Sequence, residues 1–96
     1  MEKEALICQL KELRPYALDS YKADLKGIFG SWARNEQTAS SDLDILVHFQ
    51  SGATLLDLSG LRIFLEEELH IRIDLVSENA ISKDIQPYIY RDLVRI

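Results

Sequence analysis

Apolar positions recur along this chain with two different periods. Over residues 2–13, Leu6, Ile7, Leu10 and Leu13 fall at the three-to-four spacing of one helix face. Pro15 suits the first turn of a second, short helix reaching about Tyr21. Residues 25–29 form a brief apolar run that ends at Gly30 and reads as a buried strand, and the polar stretch 35–41 reads as a loop. Over residues 43–49 the period changes to two: Leu43, Ile45, Val47 and Phe49 alternate onto one face, leaving Asp44, Leu46 and His48, together with Asp42 just before them, on the other. Thr54, with Asp57 three residues on, has the form of a helix cap, and Leu58, Leu61, Leu65 and Leu69 continue as a helical stripe. Residues 71–76 alternate again, with Ile71, Ile73 and Leu75 opposite Arg72, Asp74 and Val76. Residues 80–92 read as helical, with Pro87 blurring the start, and residues 93–96 either end that helix or add a short edge strand.

This order predicts an α+β domain, a small mixed sheet with helices packed on one face, and the 96 residues suit one domain spanning 1–96. Hydrophobic content of 47% with 28% charged residues is ordinary for a soluble globular chain. The net charge of −5 argues against direct nucleic-acid binding, which needs a basic footprint, and suits a basic protein partner. Cys8 is the only cysteine, so no disulfide forms within the chain; it reads as a small apolar residue on a buried helix face. No apolar run approaches the ~18 residues of a membrane span and no signal-peptide core is visible, so the expected location is the cytoplasm, with no membrane partner.

The strand parity changes what the charges mean. Carboxylates two residues apart on a strand share a face, with Cα atoms about 6–7 Å apart. If both strands turn their apolar faces to the helices, Asp42, Asp44 and Asp74 all emerge on the opposite, open face. Three such groups repel one another unless cations lie between them. Their hard oxygens favour magnesium, and two ions would make a phosphoryl-transfer site; no His/Cys cluster suggests zinc. Gly30 lets backbone approach a phosphate with no Cβ in the way, and Ser31 adds a hydroxyl and an N–H at the start of a helical turn. Arg34, one turn further, could reach the same phosphates.

Other residues have plainer readings. His48 shares the carboxylate face and is either a partly buried structural residue or a substrate contact. His70 closes a helix, and Glu66-Glu67-Glu68 is a solvated helix face. Trp32 either packs beneath the turn or stands exposed for a base or a partner. Tyr16, Tyr21, Tyr88 and Tyr90 are helix-face residues, the last two available for an interface.

Taken together, 28-IFGSWAR-34, 41-SDLDILV-47 and 73-IDLV-76 resemble the nucleotidyltransferase superfamily of DNA polymerase β-like fold, and more narrowly its minimal nucleotidyltransferase family. The resemblance covers nearly the whole chain. It implies that Asp42 and Asp44 bind two Mg²⁺ ions, that Asp74 joins them and helps activate the incoming hydroxyl, and that Gly30 and Ser31 hold the nucleotide phosphates. One position departs: the family usually has Gly after the Ala-Arg pair, and this chain has Asn35, the non-glycine residue most tolerant of left-handed backbone.

The resemblance also implies a biology. Members typically act with a small HEPN-domain RNase toxin, transferring AMP from ATP to a tyrosine of that toxin and so neutralising it as its antitoxin. An RNase motif of the HEPN kind is missing from this sequence, which puts it on the antitoxin side. Two alternatives stand beside this expectation: a non-catalytic antitoxin that masks the toxin stoichiometrically, and nucleotidyl transfer to a small molecule such as an aminoglycoside. Nucleotide preference, the base-reading residues and the state of assembly, homo- or hetero-oligomeric, stay open.

Overall fold

The computed structural model describes residues 2–96. In chain order its elements are α1 (Lys3–Tyr21), β1 (Ala23–Phe29), α2 (Gly30–Ala33), β2 (Leu43–Phe49), α3 (Leu55–Leu69), β3 (Ile73–Ser77), a 3₁₀ turn (Glu78–Ala80), α4 (Gln86–Asp92) and β4 (Val94–Arg95). The four strands form one mixed sheet in the order β3-β2-β1-β4, with β2 and β3 parallel and the other pairs antiparallel.

The helical stripes become the core as their spacing requires. Leu6, Leu10 and Ala17 of α1 and Leu61, Leu65 and Leu69 of α3 are buried against Leu25, Ile28, Leu43, Ile45, Val47 and Ile73 of the sheet. Burying each of these large aliphatic side chains is worth about 1.5–3 kcal/mol. Thr54 and Asp57 form the expected capping box: Thr54 Oγ1 accepts from the Leu56 N–H at 3.2 Å, and Asp57 Oδ2 accepts from the Thr54 N–H at 2.9 Å.

Several expectations need correction. The two helices anticipated on either side of Pro15 are one, with Pro15 inside it. A proline there forfeits a backbone hydrogen bond and crowds the preceding turn, but Leu10 before it and Ala17 after it both lie in the core and hold the axis continuous. Cys8 is exposed, because it sits two residues from both Leu6 and Leu10 and therefore points away from their face. The helix expected over residues 80–92 is shorter: a 3₁₀ turn, an irregular stretch and α4 replace it, with Pro87 in the first turn of α4. The chain then ends in an edge strand, β4, paired to Gly27 and Ile28 of β1.

One irregularity positions the site. The β1–β2 register shifts between Leu25 and Gly27, which leaves Lys26 as an extra residue. The bulge inverts the alternation of β1, so Ala23, Leu25 and Ile28 all face the core while Phe29 falls on the opposite face, opposite Asp44. That opposite face is partly walled by α4, and Leu46 is fully buried on it. Among the described residues, no helix is long and apolar enough to cross a membrane.

Candidate active site

Asp44 sits at the centre of the candidate site because two strand registers meet on it. Across the antiparallel pair its partner is Phe29, the residue before Gly30; across the parallel pair its partner is Asp74. Asp44 and Asp74 therefore stand side by side, while Asp42 lies just ahead of β2, two residues from Asp44 and before the first paired residue, Leu43.

Gly30 is required twice over. Its φ of +73° lies in the region that side chains disfavour, and a Cβ placed there would collide with Asp44 Oδ2. The turn therefore folds directly against the carboxylate. From Gly30 the chain makes the single helical turn of α2, closed by the Arg34 N–H donating to the Gly30 carbonyl at 3.2 Å and the Glu36 N–H donating to the Ser31 carbonyl at 2.9 Å. Asn35 adopts φ +59°, the left-handed conformation its residue type tolerates in place of glycine. Trp32 resolves to the packed alternative: it is 5% exposed and part of the core beneath the turn.

The electrostatics are those of a site short of positive charge. Burial, then the negative charge of Asp74 and a hydrogen bond shared with it, then the charge of Asp42, push Asp44 up to about 6, against a small opposing pull from Arg34. Asp42 and Asp74 are both exposed. Asp42 turns to Arg72, whose Nε lies 3.0 Å from Asp42 Oδ1 and whose Nη2 donates to the Ser40 carbonyl at 3.1 Å. Among the described residues, no three acidic, histidine or cysteine side chains stand together as a ready metal cage. Asp42 is instead engaged by the Arg72 guanidinium. Arg72 was readable as a neighbour of the carboxylate face, yet nothing in the spacing revealed its partner.

The donor set nonetheless suits magnesium. Asp42, Asp44 and Asp74 supply only hard carboxylate oxygens, and the charges of Asp74 and Asp42 that contribute to raising Asp44 are of the sign a cation offsets.

Arg34 is placed less simply than its spacing suggested. It borders the same cavity as Gly30 and Asp44, but its guanidinium is held by Glu36 at 2.7 Å and by Asp92 of α4 at 2.8 Å. Those two carboxylates raise it above the ordinary arginine value. His48 lies four residues along β2 from Asp44, about 13 Å away, and does not border that cavity. His70 takes φ +58° and ends α3, its N–H donating to the Glu66 carbonyl.

A mixed sheet with Asp44 and Asp74 paired on two parallel strands, and the Gly30 turn pressed against Asp44, is the arrangement that the sequence resemblance implies for a nucleotidyltransferase. The chain belongs to the nucleotidyltransferase domain family, whose sequence model matches residues 10–95. A relative from Methanocaldococcus jannaschii, provisionally named a protein adenylyltransferase, is 40% identical over 91 residues, covering 95% of this chain and 86% of its own. A solved structure provisionally described as a minimal nucleotidyltransferase superposes with a TM-score of 0.84 at 34% identity, covering 100% of this chain and 97% of that one. A toxin–antitoxin crystal structure with AMP-PNP shares the fold, with a TM-score of 0.71 at 22% identity over 99% of this chain and 72% of that one.

Proposed function

We propose that this chain is a Mg²⁺-dependent protein adenylyltransferase that moves AMP from ATP to a tyrosine of a HEPN-type RNase toxin, and so acts as that toxin's antitoxin in the cytoplasm. The observation that carries the reading is the register that seats Asp44 between Asp74 and the Gly30 turn. The name of the M. jannaschii relative supports the protein acceptor, and the toxin–antitoxin structure of like fold is consistent with the partner.

In this reading Asp42, Asp44 and Asp74 hold the magnesium, whose charge when bound offsets that of the carboxylates and the phosphates. Gly30 and Ser31 seat the triphosphate at the start of α2, where backbone N–H groups and a hydroxyl face it. Arg34 contributes a guanidinium to the same phosphates by giving up part of its pairing with exposed Glu36. Asp74, on the outer side of Asp44, accepts the proton of the attacking tyrosine hydroxyl. The tyrosine oxygen bonds to the α-phosphorus of ATP, the bond from that phosphorus to its bridging oxygen breaks, and pyrophosphate leaves with the electron pair.

The test is transfer of label. Purified chain, ATP labelled at the α-phosphate, Mg²⁺ and the cognate toxin are incubated together. Label is expected on a toxin tyrosine with the wild type and absent with Asp42→Ala. Unlabelled toxin, with the two forms indistinguishable, overturns the reading.

One observation favours a contribution from binding itself. Leu55 and Leu56 are 79% and 83% exposed at the start of α3, and Leu55 edges an apolar hollow with Phe49, Ala53, Leu58 and Ala80. If the double variant Asp42→Ala/Asp44→Ala still protects cells fully from the toxin, masking alone is sufficient.

A further inference from the structure

A cavity of about 280 Å³ opens beside Asp44, and its lining joins two chemistries. The β1 turn and β2 contribute Phe29, Gly30, Arg34 and Asp44. The α4 side contributes the apolar and aromatic Ile85, Tyr88 and Ile89 together with the charged Arg91 and Asp92. Tyr88 is 63% exposed, and Ile85, just ahead of the helix, 53%. The Arg91 guanidinium carbon lies 5.5 Å from the Tyr88 ring centroid, so a cation steadies the ring.

From this arrangement we infer that α4 carries the nucleobase subsite, with Tyr88 as the stacking platform for a purine base and Ile85 as its apolar flank. The inference rests on the nucleotidyl-transfer reading and adds to it the residues that recognise the nucleoside. A nucleotide has a charged, metal-seeking end and a flat aromatic end, and the lining holds a partner for each: Asp44, Arg34 and the Gly30 turn for the first, Tyr88 and Ile85 for the second.

The topology decides between this occupant and the acceptor. In the sheet order β3-β2-β1-β4, Gly30 follows β1 and α4 leads into β4, so the cavity lies on the β1 side of Asp44. Asp74 is on β3, on the other side, and does not border the cavity. The two sides of Asp44 thus separate the nucleotide from the incoming hydroxyl. The Arg34–Asp92 ion pair ties the end of α4 to the turn.

Calorimetric titration of the whole chain in Mg²⁺ with two probes, ATP and inorganic tripolyphosphate, tests the assignment without relying on turnover. Wild type should bind ATP about tenfold or more tightly than tripolyphosphate, the scale of one base stacked on an aromatic ring. Tyr88→Ala should lose most of that advantage while its tripolyphosphate affinity stays the same. Tyr88→Phe should retain it, because stacking needs the ring and not the hydroxyl. ATP should also outbind CTP in the wild type and not in Tyr88→Ala.

Equal losses for both probes in Tyr88→Ala would make α4 a structural wall and overturn the inference. So would unchanged affinity for both probes with a raised KM for the acceptor protein, which would give the cavity to the acceptor. In either case the nucleotidyl-transfer reading stands, since the wild type still binds ATP. A wild type that binds neither probe in Mg²⁺ removes both.

Discussion

Replacing Asp44 by asparagine should make the cation-free protein more stable near pH 8 while abolishing its chemistry. Asp44 is pushed from its ordinary value near 3.8 up to about 6 by burial and by the charges of Asp74 and Asp42. The folded protein therefore holds a proton on Asp44 over a pH range in which the unfolded chain has released it. Where the native state binds more protons than the unfolded one, stability falls as pH rises. The loss begins near pH 4, continues through about pH 6, and is complete and constant above that.

The gap between the two values corresponds to about 3 kcal/mol at roughly 1.4 kcal/mol per pH unit. Asp44 is only partly buried, so solvent screening lowers the expected penalty to about 1–2 kcal/mol. An asparagine side chain at this position would have the same shape, no charge, and an amide able to donate to Asp74. Urea unfolding with a chelator present, at pH 4.5 and pH 8 for both proteins, measures the difference directly, and other titrating groups cancel between them. Near-equal stability at pH 4.5 and an advantage of about 1–2 kcal/mol for Asp44→Asn at pH 8 are expected. A variant that is equally or less stable than wild type at pH 8 would refute the electrostatic argument.

By the same electrostatics, Mg²⁺ should raise the melting temperature of the wild type, more at pH 8 than at pH 5, where Asp44 holds its proton; an equal rise at both would count against binding at Asp44. Gly30→Ala should cost about 2 kcal/mol or more in urea unfolding and eliminate transfer, because it combines a left-handed alanine with displacement of the Asp44 carboxylate. Arg72→Ala should strengthen Mg²⁺ binding by no more than about fivefold in calorimetry, since it frees Asp42 from an exposed ion pair; weakened binding would mean that Arg72 orients Asp42 rather than competing for it. Pro15→Ala should stabilise the chain by about 1–2 kcal/mol by restoring a backbone hydrogen bond inside α1, read from the urea midpoint.

The elements with long or strict periods were readable from residue order. The bounds of β2 match the alternation of Leu43, Ile45, Val47 and Phe49, and α3 runs from its Thr54 cap to Leu69 as the stripe requires. What escaped were departures that local signals describe ambiguously. Pro15 usually ends a helix, and only the burial of residues on both sides of it kept α1 whole. Gly27 within an apolar run was a cue for a bulge, but the bulge is defined by the pairing of β1 with β2. Arg34 was expected to reach the phosphates, but its ion pair was not foreseen: Asp92, its partner across the fold, is 58 residues away in sequence.

The sequence by itself determined the chemical inventory: carboxylates on alternating strand positions, a glycine where the backbone turns left-handed, and an asparagine able to replace another. These depend on short-range geometry, which the order of residues encodes directly. Tertiary structure alone decided which groups stand beside Asp44. Strand pairing set Asp74 on one side and the Phe29–Gly30 turn on the other, and the bulge at Lys26 brought that turn to the correct face. The edge pairing of β4 brought α4, and with it Tyr88, to the cavity. The desolvation and mutual repulsion that push Asp44 up to about 6 come from that convergence, because they arise through space between segments that no local pattern connects.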